Sequence, residues 1–126
     1  FNSFILFMVS LFLSSLLVTS LCMIVHMLTM VLIDSKGAIS TYTIIAELFM
    51  GQIVPIAFLP NIIIKVGNYL PFKYLCDLPY RAYSANIVLN DGLTMLISSS
   101  IWIIITITIG VLITKKSLKK AVIQGG

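Results

Sequence analysis

The sequence GQIVPIAFLPNIIIKVGNYLPFKYLCDLPYRAY, residues 51–83, interrupts an otherwise apolar chain. It contains all four prolines of the protein and several of its charged residues. The chain has 126 residues, of which 60% are hydrophobic and 10% charged, and its mean hydropathy is +1.13. A water-soluble domain of this length exposes too much of its surface to bury so many apolar residues. The composition therefore predicts an all-α integral membrane protein, and the interrupted stretch decides how its helices connect.

Three apolar runs surround this stretch, and each is long enough to cross a hydrocarbon core of about 30 Å. They predict three transmembrane helices, at about residues 4–33, 38–59 and 92–114. The charged sequence DSKG, residues 34–37, supplies a helix stop and a tight connection between the first two. The opening residues lack the basic region and the cleavage site of a signal peptide, so the first run is predicted to be a span.

The orientation is predicted from the lysines that directly follow the third span. Positive charge next to a span is typical of its cytoplasmic end, so the tail, residues 115–126, is predicted to be cytoplasmic. Three crossings then place residues 34–37 inside and residues 60–91 outside. The outer segment has Lys65, Lys73 and Arg81 of its own, so the orientation depends on charge density next to the span. The predicted cytoplasmic anchor consists of Lys115, Lys116, Lys119 and Lys120.

The outer segment is predicted to contain two short helices. Residues 61–70, between Pro60 and Pro71, would form only about 15 Å of helix, which enters a bilayer without crossing it. A second short helix is predicted to start at Pro79, and Asp77 and Arg81 have the i,i+4 spacing of a supporting ion pair. Aromatic residues with a polar group favour the membrane interface, so a belt is predicted from Tyr69, Tyr74, Tyr80 and Tyr83.

The second predicted span contains the candidate pathway residues. Glu47 lies near its middle, where an ionisable side chain is costly and is usually kept away from lipid. It is predicted to make either a polar contact in a transport pathway or a buried hydrogen bond to a neighbouring span. Gly51, Gln52 and Pro55 are predicted to kink the outer end of this span.

No sequence feature indicates catalysis, and the chain is not predicted to be an enzyme. There is no phosphate loop for a nucleotide, no Cys/His spacing for a metal and no nucleophile with its base, so no cofactor and no nucleic-acid partner are expected. Cys22 and Cys76 lie in different environments and are predicted to be unpaired. His26 is predicted to be a packed side chain without a role. Helix packing is predicted for the small polar residues Ser14, Ser15, Thr19, Ser20 and Ser98–Ser100.

The order of Gly51, Pro55, Pro60, the sequence LPFKY at residues 70–74 and Pro79 resembles the membrane subunits of ABC-2 type exporters. The ending VIQGG also resembles the C-terminus of one subgroup of these permeases. They are bacterial proteins with six spans, and the resemblance covers only their C-terminal half, from the fourth span onward. It implies re-entrant outer helices and an outer turn in this chain, at Pro60, Gly67, Pro71, Phe72 and Pro79.

The resemblance also implies a function, which is to form an export pathway in the bacterial plasma (inner) membrane. Two permease subunits, identical or related, would form the pathway, and two cytoplasmic ABC ATPase subunits would drive it. The substrate would be a hydrophobic or amphipathic small molecule or peptide. The first three spans and the coupling helix of such a permease are absent here, so this half alone is not expected to transport.

Two other functions remain open from the sequence. The first is a small proton-coupled multidrug antiporter, in which Glu47 would bind proton and cation in turn. Residues 60–91 are too long and too rich in proline for the four tightly packed spans of such a protein. The second is a membrane scaffold subunit that does not transport, which would need no membrane-embedded glutamate.

Overall fold

The computed structural model describes residues 2–32 and 34–125, which form helices and no strand. The predicted all-α class is therefore confirmed for this part of the chain. There are five α-helices and one short 3-10 turn. In chain order they are α1 (Asn2–Val31), α2 (Ser35–Met50), the 3-10 turn (Ile56–Phe58), α3 (Asn61–Tyr69), α4 (Lys73–Tyr83) and α5 (Leu89–Gly125).

Two of the described helices, α1 and α5, are long and apolar enough to cross a membrane. α1 has 30 residues and α5 has 37, which correspond to about 45 and 55 Å of helix. The best windows within Asn2–Val31 and Leu89–Lys120 have mean hydropathies of 2.3 and 2.4. Both helices leave many large apolar side chains exposed, as expected for a surface that faces lipid.

α1 and α5 pack side by side and run in the same direction. A Cβ atom built on Gly92 would lie 2.8 Å from Leu6 Cδ2, so the helices approach closely at one end. Towards the other end, Ser117 Oγ donates to Met27 O at 3.2 Å and Lys120 Nζ donates to Val31 O at 3.5 Å. The connection to α2 and the lysine-rich segment therefore lie at the same end of the pair. The sequence prediction put these two segments on one side of the membrane.

α2 returns along α1 and ends earlier than the sequence predicted. Asp34 caps its start, with Oδ1 accepting from Gly37 N at 3.0 Å. The predicted span reached residue 59, whereas the helix ends at Met50 because Gly51 adopts a left-handed φ of 77°. Gly51 N donates to Leu48 O and Gln52 N donates to Glu47 O, the bonds of a Schellman motif. The predicted kink is therefore wrong, since this pattern terminates the helix.

α4 continues the return along the N-terminal half of α1. Ser14 Oγ donates to Tyr74 O at 2.8 Å, and the rings of Phe7 and Tyr83 lie 5.4 Å apart. Because the lower number on α1 pairs with the higher number on α4, the two helices are antiparallel. The return path is thus made of two helices in series, and the break between them lies near the middle of α1.

α3 and α4, joined by the turn at Pro71 and Phe72, form an open hairpin at this break, with a pocket between its two arms. The predicted short helix between Pro60 and Pro71 is confirmed as α3. The turn at Pro71 and Phe72 is buried against the core, and its assignment to the outer side of the membrane stays a prediction. Pro79 does not start the second helix, because Tyr74 N already bonds to Pro71 O and begins α4 there.

The core lies where α1, α2, α4 and α5 meet. Its buried apolar cluster consists of Leu17, Leu21, Ala46, Phe72, Leu75 and Ile103. Hydroxyl groups pack beside it, and Ser20 Oγ and Thr106 Oγ1 lie 2.8 Å apart in a buried hydrogen bond. Ser15 and Thr19 are exposed and bond to their own helix. The predicted packing role is therefore met by Ser14, Ser20 and the buried Ser99.

The lysine-rich segment is helical and not a separate tail. α5 passes the predicted end of the third span at Thr114 and continues to Gly125, because neither Gly nor Pro interrupts residues 111–124. The four lysines of the predicted anchor are exposed on this last part of the helix. The predicted limits at Ile33 and Gly126 lie outside the described residues.

Candidate functional site

A pocket of about 250 Å³ lies at the break in the return path, between the end of α2, the 3-10 turn, α3 and α4. Most of its wall is apolar, and one side carries charged groups. The residues that line it are Phe49, Met50, Ile56, Leu59, Ile63, Ile64, Gly67, Asn68, Phe72, Lys73, Asp77 and Arg81.

Two glycines shape the apolar side of this pocket. Gly51 turns the chain back with its left-handed φ, and a Cβ atom there would lie 3.0 Å from Ile56 Cγ1. Gly67 allows α3 to approach α2, since a Cβ atom there would lie 3.0 Å from the ring of Phe49. That ring stacks on Phe72, with centroids 6.0 Å apart and planes inclined by 8°. The stacked pair joins the end of α2 to the tip of the hairpin.

The charged side of the pocket is one face of α4. Lys73, Asp77 and Arg81 are spaced four residues apart and so share this face. Arg81 Nη1 and Asp77 Oδ2 lie 3.8 Å apart, and Lys73 Nζ donates to Asn68 Oδ1 at 3.3 Å. The opposite face of α4 is buried, and it comprises Leu75, Leu78, Pro79 and Ala82. This amphipathic pattern points the charges of α4 away from the core.

The two described cysteines are free, as predicted, and Cys76 contacts the end of α2. Its Sγ lies 3.5 Å from Met50 Sδ, and Gln52 Nε2 lies 4.0 Å from both sulfur atoms. Among the described residues, no group of three or more His, Cys, Asp or Glu side chains could hold a metal ion. The sulfur contact therefore serves to hold α2 against α4.

Only some of the site residues predicted from the sequence line this pocket. Gly67 and Phe72 line the pocket, and Gly51 closes its end through Ile56. Glu47 is half-buried one turn before the end of α2 and is not among the lining residues. The others lie outside the lining too: Gln52, Pro55 and Pro60 are exposed near the break, and Lys115, Lys116, Lys119 and Lys120 lie towards the far end of α5.

Sequence reasoning missed Phe49 and Met50 as lining residues, because they appeared to belong to a continuous span. The signal that was available is the glycine directly after Met50, which is typical of a helix end. Lys73, Asp77 and Arg81 belong to the predicted outer segment. Their spacing of four residues predicts the shared face that the structure contains.

Charged, aromatic and aliphatic side chains surround a small cavity, an arrangement that can bind a ligand. None of the lining residues pairs a nucleophile with a base. Comparison with known protein families, with curated proteins and with solved structures finds no match for the chain.

Proposed function

We propose that this chain is the C-terminal half of a permease subunit of an ATP-driven ABC-2 type exporter, located in the bacterial plasma membrane. The observation that carries the proposal is the α3–α4 hairpin, whose tip is buried near the middle of α1. Together with the proline order of residues 51–79, this hairpin corresponds to the re-entrant outer helices that the resemblance implies. The chain then contributes to a transport pathway and contains no ATPase site.

The broken return path supports a transport role. Irregular backbone at membrane depth is tolerated where it is buried in protein or lines a polar cavity. Here the break carries a pocket with three charged side chains, and several transporter families build binding sites at interrupted helices. A structural bundle of continuous helices would need neither the break nor the charges.

The proposed topology has three crossings, with the middle one made in two pieces. α2 is about 24 Å long and does not span a core of about 30 Å alone. α4 continues the same path by about 16 Å, so the two helices together complete the crossing. The exposed lysines of α5 favour a cytoplasmic C-terminal end.

In the proposed mechanism, ATP binding by two cytoplasmic ATPase subunits draws two permease subunits together and switches the side from which the pathway opens. The substrate, a hydrophobic or amphipathic small molecule or peptide, leaves past the α3–α4 hairpin. The second permease subunit is either identical or related. Glu47 lies on α2, one turn before the break, where it would meet a partner group of the complete assembly.

The test is transport by the complete permease that contains this chain, reconstituted with its ATPase subunit in vesicles. We expect export that requires ATP and is inhibited by vanadate. It should disappear when the phosphate-loop lysine of the ATPase is replaced, and Glu47→Gln should leave its energy source unchanged. Export that is driven by a proton gradient without ATP and lost in Glu47→Gln would instead identify a proton-coupled antiporter.

Orientation is tested separately by cysteine accessibility. Single cysteines are placed along residues 61–70 in a background that lacks Cys22 and Cys76, and each is labelled with an impermeant maleimide. We expect labelling from the outer side. A matched cysteine at Lys119 should be labelled from the cytoplasmic side. Labelling of residues 61–70 only from the cytoplasm would overturn the proposed topology.

A further inference from the structure

We propose that the pocket between α2, α3 and α4 binds an amphiphile with a single alkyl chain and an anionic headgroup, with Lys73 as the headgroup contact. The inference rests on the proposed function in taking the helical bundle to span the membrane and this amphiphile to be the exported substrate. Binding itself requires neither ATP nor a partner subunit.

Lys73 lies near the middle of the bundle, where its charge needs a polar or anionic partner. Its neighbour Tyr74 accepts a hydrogen bond from Ser14, which lies near the middle of α1. A charged side chain at the centre of a bilayer costs about 2.5–3.5 kcal/mol on insertion scales, so it is kept in a polar cavity or beside a counter-ion. Lys73 is half-buried and faces the pocket, which is therefore where its charge must be compensated.

The pocket has an excess of positive charge. Two cationic side chains and one anionic side chain line it, and the anionic one, Asp77, lies beside Arg81 at 3.8 Å. Lys73 donates to the neutral side chain of Asn68, and this ion pair of Arg81 and Asp77 is the only one among the described residues. The ammonium group of Lys73 can therefore accept an anion, whereas a cationic ligand would find Asp77 already paired.

The rest of the pocket wall is apolar, and the cavity is small. Phe49, Ile56, Ile64 and Phe72 offer an apolar surface to an alkyl chain. The cavity of about 250 Å³ falls below the 300–1,000 Å³ that is usual for drug-sized ligands. It fits one chain with a small headgroup better than a lipid with two chains.

The experiment uses the single tryptophan of the chain, Trp102, as a reporter. Trp102 packs against the cluster that contains Phe72 and shares a cleft with Asn68 and Tyr74. The protein is reconstituted in phosphatidylcholine nanodiscs and titrated with a spin-labelled alkyl phosphate. A spin-labelled alkyltrimethylammonium of equal chain length is the matched cation. We expect saturable quenching by the alkyl phosphate, at a concentration about tenfold lower than for the cation.

Lys73→Met should weaken alkyl phosphate binding about tenfold, while Lys65→Met, on the exposed face of α3 and outside the pocket, should leave it unchanged. Lys73→Arg keeps the positive charge and should retain binding. This control shows that the loss in Lys73→Met comes from the missing charge and not from misfolding. Asp77→Asn should strengthen binding, because it removes the negative charge. Inorganic phosphate without a chain should not displace the probe.

Equal quenching by the two probes, equal effects of Lys73→Met and Lys65→Met, or full displacement by inorganic phosphate would each overturn the proposal. The binding assay contains no ATPase, so its failure would leave the export proposal untouched. If alkyl phosphate binding is retained but no ATP-dependent export is found, the export proposal fails and the binding proposal stands.

Discussion

The α1–α5 contact and the α2–α3–α4 region differ both in sequence and in how they pack. Between α1 and α5, small side chains let the backbones approach, and the buried Ser20–Thr106 hydrogen bond joins the two helices. Around the α3–α4 hairpin, aromatic and charged side chains keep the elements apart and leave a pocket of about 250 Å³. Close packing in this chain therefore accompanies small residues on continuous helices, and the pocket accompanies bulky and charged residues at the end of α2.

The helices of the two regions are not held equally firmly. α4 packs Leu75, Leu78 and Ala82 into the core, whereas α3 has no buried residue. Because segments with few buried apolar contacts open most easily, we expect α1, α4 and α5 to be held more firmly than α3. Four experiments test this comparison, in order of decreasing expected effect.

Leu17→Ala should give the largest loss of stability, because Leu17 has no exposed surface and belongs to the core beside α5. We expect the free energy of unfolding to fall by about 2–5 kcal/mol, as for other buried leucines. The measurement is reversible unfolding in mixed micelles of sodium dodecyl sulfate, followed by circular dichroism. Leu16→Ala is the matched control, since Leu16 is 39% exposed and should change stability by less than about 1 kcal/mol. Similar losses in both variants would contradict the packing of α1.

Gly51→Ala should destabilise the protein by about 1–2 kcal/mol, because φ is 77° there and the new Cβ would press on Ile56. The same unfolding experiment measures the loss. Gly125→Ala is the control, because nothing lies within 4 Å of a Cβ atom at that position. If Gly51→Ala were as stable as the wild type, α2 would not end in a left-handed cap, and the continuous span to residue 59 would regain support.

The hydrogen bond between Ser20 and Thr106 should contribute a smaller coupling energy, of about 0.6 kcal/mol, the average for such pairs in membrane bundles. A double-mutant cycle of Ser20→Ala and Thr106→Val measures it directly. The control cycle replaces Ser20→Ala by Ser15→Ala, whose hydroxyl donates to Phe12 O of its own helix. That cycle should show no coupling. A coupling equal to that of the first cycle would mean that the measured term does not report the cross-helix bond.

Asp77→Asn should have the smallest effect on stability, at most about 0.5 kcal/mol, because an exposed i,i+4 ion pair contributes little. The side chains of Arg81 and Asp77 are 41% and 34% exposed, and their closest atoms are 3.8 Å apart. Unfolding at low and high salt measures the change, which should shrink as salt increases. A loss above about 1 kcal/mol would show that this face of α4 is more tightly packed than the pocket implies.

The sequence predicted much of this fold because several elements follow from local chemistry. The length and apolarity of residues 4–33 and 92–114 predicted two long helices, and the prolines at 60 and 71 predicted the limits of α3. The Asp77–Arg81 pair followed from helical spacing and is present. Each of these features depends on residues that are close together in the sequence.

The remaining features depend on contacts between distant segments and could not be predicted in this way. The turn at Phe72 was expected from the resemblance, but its ring packs with residues of α1 and α2 that no local pattern reveals. The end of α2 was misplaced because Gly51 is compatible with a kink as well as with a cap, and the bonds from Gly51 and Gln52 decide between them. The sequence predicted only part of the site, because its lining brings together residues of α2, α3 and α4 that are distant in the sequence.

The buried hydroxyls between α1 and α5 have a consequence for how the protein assembles. Thr106 Oγ1 donates to Trp102 O, and Ser20 Oγ lies 2.9 Å from Leu17 O, so each hydroxyl has a carbonyl partner on its own helix. Each helix can therefore enter the bilayer separately without an unsatisfied hydroxyl. Ser20 is separated from Thr106 by 86 residues, so α1 is synthesised well before α5. In the proposed membrane topology, the two helices then associate by lateral docking, in which Ser20 exchanges its local acceptor for Thr106.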